Sequence, residues 1–186
     1  MARVFHRVGY RVGQFWQGLW ARVTPEERQQ VALALPAKAV PLFEQMPIDA
    51  QRHSLNVLRS VREAGFNDPE LAVAALLHDC GKVAAAQSGV ALGLWLRGPL
   101  VLLDAFLPSL AEKWASPDPA HGWRYALYVH REHPAIGARW AAAAGCNALS
   151  CWLIAHHQTP PDMLGDGVEE RARTLLIALQ QADAGN

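Results

Sequence analysis

The sequence lacks an excess of charge of either sign, a cysteine framework and clear strand signals. Lysine plus arginine and aspartate plus glutamate each number 17 in 186 residues, so the formal net charge is zero. No global basic field exists to gather nucleic acid, and no specific nucleic-acid binding is expected. Three cysteines, Cys80, Cys146 and Cys151, are an odd set without framework spacing. That pattern fits a reducing, cytoplasmic setting. Residues 1–22 are basic and aromatic but have no long apolar core and no small-residue cleavage site, which argues against a signal peptide. The most apolar stretch, Val90 to Leu107, is interrupted by Arg97, Pro99 and Asp104. It is too short and too charged for a membrane span, so no transmembrane segment is expected. Alternating β-branched runs between turns are scarce.

What remains is helix. An apolar fraction of 51% against 18% charged residues describes a globular chain, and the length favours one principal domain. Thr24-Pro25-Glu26-Glu27 joins an N-cap, a proline at the first helical position and a capping-box glutamate, predicting a helix to about Leu35. Apolar positions Ile48, Leu55, Val57, Leu58 and Val61 predict a second helix over Pro47–Ala64, with Gly65 as its C′ residue. Asp68-Pro69 restarts a helix that is apolar on all sides through Leu77, hence buried. His78 and Asp79 fall at its end, and Gly81 closes it. Gly98-Pro99 begins a helix reaching about Trp114, and Ser116 to Pro119 is a loop. A helix over Pro134–Ala144 stops at Gly145, and Pro134 should break regularity before it. Asn147 caps a helix ending in His156-His157. A loop over Gln158–Gly167 leads to a last helix from about Val168 to Ala182, with Asp183 at its end. The expected organisation is a helical extension over residues 1–46 packing on a main domain over 47–186, which carries a helical insert at 84–120.

A buried helix ending in an imidazole and a carboxylate carries a large desolvation cost unless the charge is partnered. A divalent cation is the strongest candidate partner; a capping Asp beside a core His is the plainer one. Six of the eight histidines, His53, His78, His130, His133, His156 and His157, fall on or at the ends of the expected helices. Bundles build metal sites from side chains facing inward on different helices, and a mixed imidazole and carboxylate set suits Mn, Fe, Zn, Co or Ni rather than calcium.

Five segments resemble, in order, the motifs of the HD-domain superfamily. They are Arg52-His53-Ser54, Leu76-Leu77-His78-Asp79-Cys80-Gly81-Lys82, His133-Pro134-Ala135-Ile136-Gly137-Ala138, His156-His157 and Ala182-Asp183. The similarity is closest to the HD-GYP-like, two-metal branch and spans about Asp49 to Asp183. It implies an all-α fold, an HD-domain helical bundle. It also implies a metal-dependent phosphohydrolase that attacks a phosphomonoester or phosphodiester, nucleotides included, with a metal-activated water. Carried over, His53, His78, Asp79 and Asp183 would hold one divalent transition metal. Asp79 would bridge to a second, completed by His133, His156 and His157. Lys82 would meet substrate phosphate; its plainer role is a solvated lysine at a helix end.

The sequence departs from that branch after the His-His pair, where it has Gln158-Thr159-Pro160-Pro161 and no Gly-Tyr-Pro element, which puts cyclic di-GMP hydrolysis in doubt. Two rival readings share the residues: an HD-fold di-iron oxygenase and a non-catalytic HD signalling module. Asp49, one turn before His53, reads as an N-terminal dipole partner, with a further metal ligand as the rival. His130, Arg131 and Glu132 read as rim residues, and His6 and His121 as ordinary polar ones. Cys80 reads as core packing. Trp16 and Trp20, with Phe5, Phe15, Arg3, Arg7 and Arg11, describe a basic aromatic helix. It would pack on the bundle or on a second subunit in a homodimer, or lie on a membrane surface. Trp95, Trp114 and Trp123 make the insert a lid or an interaction surface.

Overall fold

A computed structural model describes residues 22–90, 102, 103 and 106–186. The basic aromatic N-terminal helix, Trp95, and the start of the helix expected at Gly98-Pro99 lie outside the described residues. Every regular element among the described residues is helical, and none of these helices is long and apolar enough to cross a membrane.

Helix α1 (Pro25–Ala34) starts on the expected capping box. The Thr24 hydroxyl accepts from the Glu27 amide, and the Glu27 carboxylate accepts from the Thr24 amide. A short α2 (Val40–Glu44) follows, then α3 (Ile48–Glu63) and α4 (Pro69–Leu77). Gly65, after α3, takes a φ of 90°, the left-handed conformation that a C′ glycine supplies. Asp68 caps α4 by accepting from the amides of Glu70 and Leu71. The all-apolar composition of α4 makes it the hub of the bundle. Leu71, Ala74, Ala75, Leu76 and Leu77 are fully buried, and α1, α2, α3, α8 and α9 all pack against it. Val31, Leu35, Ala39, Phe43 and Met46 share this core, so the described part of residues 1–46 packs on the rest.

After α4 the chain makes a 3-10 turn, Cys80–Lys82, and a short α5 (Val83–Gln87). Helix α6 (Pro108–Trp114) precedes a second 3-10 turn, Pro119–His121, which Asp118 caps. Helices α7 (Trp123–Ala143), α8 (Ala148–His156) and α9 (Glu170–Gly185) complete the bundle. Asn147 caps α8 as expected, by accepting from the Ser150 amide.

Two local expectations are corrected. Helix α7 does not begin at Pro134 but at Trp123, and runs through the proline. A mid-helix proline leaves the carbonyl four residues earlier, that of His130, without its amide donor. The His133 ring takes the donor's place: its Nδ1 lies 2.7 Å from the His130 oxygen. Gly81 does not close α4 in a left-handed conformation; it lies inside the 3-10 turn, and its φ is not positive. Its need is close approach. A Cβ on Gly81 would stand 2.1 Å from the His133 carbonyl oxygen and 2.7 Å from the Gly137 nitrogen. Two glycines, 81 and 137, therefore let the turn that carries Asp79 lie directly on α7.

Candidate metal centre

Seven of the eight candidate side chains gather where the C-terminal ends of α4, α8 and α9 meet α3 and the middle of α7. His53 comes from α3, His78 from the C-cap of α4, Asp79 and Lys82 from the 3-10 turn. His133 comes from α7, His157 from the C-cap of α8, and Asp183 from the last turn of α9. Two groups of donors form, each with its atoms within 4.8 Å of one another: His53, His78 and Asp183, and Asp79, His133 and His157.

Asp79 joins the groups. Its Oδ1 lies 3.3 Å from His133 Nε2 and 3.7 Å from His157 Nε2. Its Oδ2 lies 3.7 Å from His78 Nε2 and 2.7 Å from Lys82 Nζ. In the first group Asp183 Oδ1 stands 2.8 Å from His53 Nε2 and 3.5 Å from His78 Nε2. Ligands about 2.1 Å from one tetrahedral ion sit about 3.4 Å from each other. The spacings in both groups scatter around that value.

The imidazoles are oriented by backbone carbonyls. His78 Nδ1 lies 3.1 Å from the Ala75 oxygen, His133 Nδ1 2.7 Å from that of His130, and His157 Nδ1 2.8 Å from that of Ile154. A carbonyl only accepts, so each Nδ1 carries the proton and, in the neutral ring, each Nε2 presents a lone pair. Ala75 and Ile154 belong to the last turns of α4 and α8, where carbonyls have no helical partner. The proline in α7 supplies the third free carbonyl. The consequence is electrostatic frustration. The Nε2 atoms of His133 and His157 face each other at 3.3 Å, and the His78 Nε2, fully buried, has no hydrogen-bond partner. Converging lone pairs beside two carboxylates call for a cation, and these buried groups can hold a metal ion.

The charges agree. Burial pushes the Asp79 carboxyl up, but Lys82, His78 and His133 outweigh it and hold it well below the usual carboxylate range. Burial likewise opposes ionisation of Asp183, and the hydrogen bond it accepts from His53, with the His78 ring close by, overcomes it. Burial, with His78 nearby, pushes His157 down to about 3, so this ring stays neutral and available as a ligand. For His78 burial works downward, but Asp79 and Asp183 prevail and raise it.

His156 does not join either group. Its ring stacks on Trp152, with centroids 4.5 Å apart, and its Nδ1 lies 2.9 Å from the Trp152 oxygen. Lys82 is half exposed at the rim. Asp49 is exposed in the first turn of α3, and His121 pairs with the Ser116 hydroxyl at 2.7 Å, both outside the groups. Burial, with Asp79 adjacent, pushes the Cys80 thiol up to about 12, as suits a packing residue. Two participants were not singled out from sequence. The pairing of Pro134 with His133 was legible in principle, because a proline one residue after a histidine frees the carbonyl that the histidine can use. Gln158 was visible only as a departure from a pattern; its amide nitrogen lies 3.3 Å from His133 Nε2. In comparisons with known proteins, no family model, no curated protein and no solved structure matches the chain.

Proposed function

We propose that the chain is a metal-dependent phosphohydrolase of the HD superfamily, cleaving a phosphomonoester or phosphodiester, nucleotides among them. One or two divalent transition metals (Mn, Fe, Ni, Co or Zn) would be held by His53, His78, Asp79, His133, His157 and Asp183. The observation that carries this reading is the split of Asp79, with one oxygen facing each group of imidazole nitrogens. When bound, such cations lower the pKa of a water towards neutrality and neutralise charge on phosphoryl oxygens.

The chain's own residues supply the rest. Three backbone carbonyls hold the rings with Nε2 inward, so no reorganisation is needed at binding. Asp79 stays ionised at neutral pH, which suits a bridging carboxylate. Lys82 donates one N–H to Asp79 and has two more for a phosphoryl oxygen arriving from solvent. A small-molecule substrate suits a chain without net positive charge. The free cysteines support a reducing, cytoplasmic setting.

Metal analysis of the purified protein, followed by an anaerobic screen of nucleotides and phosphate esters with Mn²⁺, tests the reading. Phosphate release dependent on bound metal is expected. A mixed-valent di-iron signal without phosphatase activity would overturn it in favour of an oxygenase. Failure to take up any of these metals would overturn it in favour of a non-catalytic module.

A further inference from the structure

Among the described residues two exposed side chains reach the Asp79, His133, His157 group directly: Lys82, 2.7 Å from Asp79 Oδ2, and Gln158, 3.3 Å from His133 Nε2. The group itself is nearly closed to solvent: His133 is 0% exposed, His157 3% and Asp79 9%. The Gln158 amide therefore stands, with Lys82, at the solvent edge of that group. The Gln158 contact has a defined polarity. His133 Nδ1 donates to the His130 carbonyl, so the neutral ring can only accept at Nε2, and the amide must present its N–H there. A cation and an amide proton cannot share one lone pair. A metal held at His133 Nε2 would free the amide, leaving a neutral N–H donor at the exposed edge of the group.

The geometry points to Gln158 as a substrate-contacting residue, its amide N–H donating to a phosphoryl oxygen held at the Asp79, His133, His157 group. This inference rests on the metal reading of that group and goes further, by assigning a second oxyanion contact, beside that of Lys82, to a residue outside both donor groups. An uncharged donor serves here better than a carboxylate. Glutamate at this position would add a negative charge beside Asp79 and face the phosphate with lone pairs only.

The test uses the full chain loaded with Mn²⁺ and inorganic phosphate as the probe, with calorimetry for both Mn²⁺ and phosphate. Because Gln158 is exposed, its variants leave the core intact. Gln158→Ala should weaken phosphate binding about tenfold, the scale of one hydrogen bond to a charged acceptor, and leave Mn²⁺ affinity equal or tighter. Gln158→Glu, of the same length, should weaken phosphate more than the alanine variant does. Phosphate affinity within twofold of wild type in both variants overturns the inference. A tenfold loss of Mn²⁺ affinity in Gln158→Ala with phosphate unaffected also overturns it, by making the side chain a ligand. Wild-type protein that takes up none of Mn, Fe, Ni, Co or Zn defeats the phosphohydrolase reading itself. Wild-type protein that loads metal and hydrolyses esters, with variants unchanged, defeats this inference alone.

Discussion

The two donor groups solve the same problem with different margins. The outer group, His53, His78 and Asp183, is partly open: the His53 side chain is 24% exposed and that of Asp183 33%. It already satisfies part of itself, since His53 and Asp183 lie at hydrogen-bond distance, 2.8 Å. The inner group is relieved from its rim, by Lys82 on Asp79 Oδ2 and by Gln158 on His133 Nε2. His133 and His157 oppose lone pairs at 3.3 Å, and the side chain of Asp79, its carboxylate, is 11% exposed. An outer site of this kind can rest as an ion pair without metal; an inner site of this kind is strained until a cation arrives. The difference teaches that a shared residue, Asp79, couples a tolerant site to an intolerant one.

Removing that coupling should have the largest effect. Asp79→Ala strips a carboxylate from both groups at once and leaves Lys82 without its partner. Metal content should fall towards zero for both groups and phosphate release should drop at least about a thousandfold, the scale on which losing the charge-stabilising machinery acts. His121→Ala, remote from both groups, should change neither metal content nor rate. Equal losses in the two variants would break the comparison.

Gly81→Ala is expected next, and it acts on the inner group through the backbone. The added methyl would collide with the His133 carbonyl oxygen at 2.1 Å, which neither element can absorb without separating. Forcing the turn off α7 should cost about 3 kcal/mol, typical of overpacking against backbone. Chemical denaturation of the metal-free protein measures it. Inner-group metal affinity should fall with it while the outer group, built on α3, α9 and the end of α4 ahead of the turn, keeps most of its own. Stability unchanged within 0.5 kcal/mol, about the scale of a neutral surface substitution, would show that the turn is free to move.

The sequence made the helices and the donors legible, because each rests on local chemistry. The Thr24 capping box, the all-apolar run before His78 and the Asn147 cap mark elements whose partners lie within four residues. Opaque were the features created by packing between elements. Gly81 looks like a helix stop in one dimension and is a contact surface in three. Pro134 looks like a helix break, and the His130 carbonyl that it orphans is repaired by the residue just before the proline, His133, whose ring that carbonyl then orients. His156 and His157 are indistinguishable in sequence as ligands. On a helix end they project about 100° apart, so one ring turns into the inner group while the other stacks on Trp152.

A pair of single substitutions separates the groups at smaller cost. His157→Ala should remove the inner ion and leave one bound ion per chain, while His53→Ala should remove only the outer one. Because the inner group is the more buried and keeps His133 Nε2 and His157 Nε2 facing each other at 3.3 Å, metal should raise the Tm of His53→Ala more than that of His157→Ala. The expected difference is about 4 °C, the shift that roughly 1 kcal/mol produces in a domain of this size. Metal titration followed by thermal unfolding checks both statements. An equal Tm gain in the two variants would remove the asymmetry between the groups.

The smallest expected effect concerns what supports the outer group from behind. Arg52, next to His53 on α3, makes two 2.6 Å contacts with the Glu27 carboxylate of α1, a fork-on-fork pair. The hydrogen bond from Arg52 pulls the Glu27 carboxyl down to about 2 against a normal 4.5. A carboxyl depressed in the folded state contributes stability above its unfolded pKa and loses it as pH falls through the folded one. Glu27→Gln should therefore cost about 1 kcal/mol at pH 7, as for a well-formed, mostly shielded surface pair. The gap between wild type and variant should stay constant down to about pH 4.5 and close by about pH 2. Denaturant titrations of the metal-free protein across that range measure the gap. Outer-group metal affinity should weaken by less than about threefold in the variant, and the inner group, which α1 does not touch through this pair, should not respond. A larger loss at the inner group than at the outer one would mean that α1 steadies Asp79 rather than His53, and the division between a supported outer site and a self-contained inner one would fail.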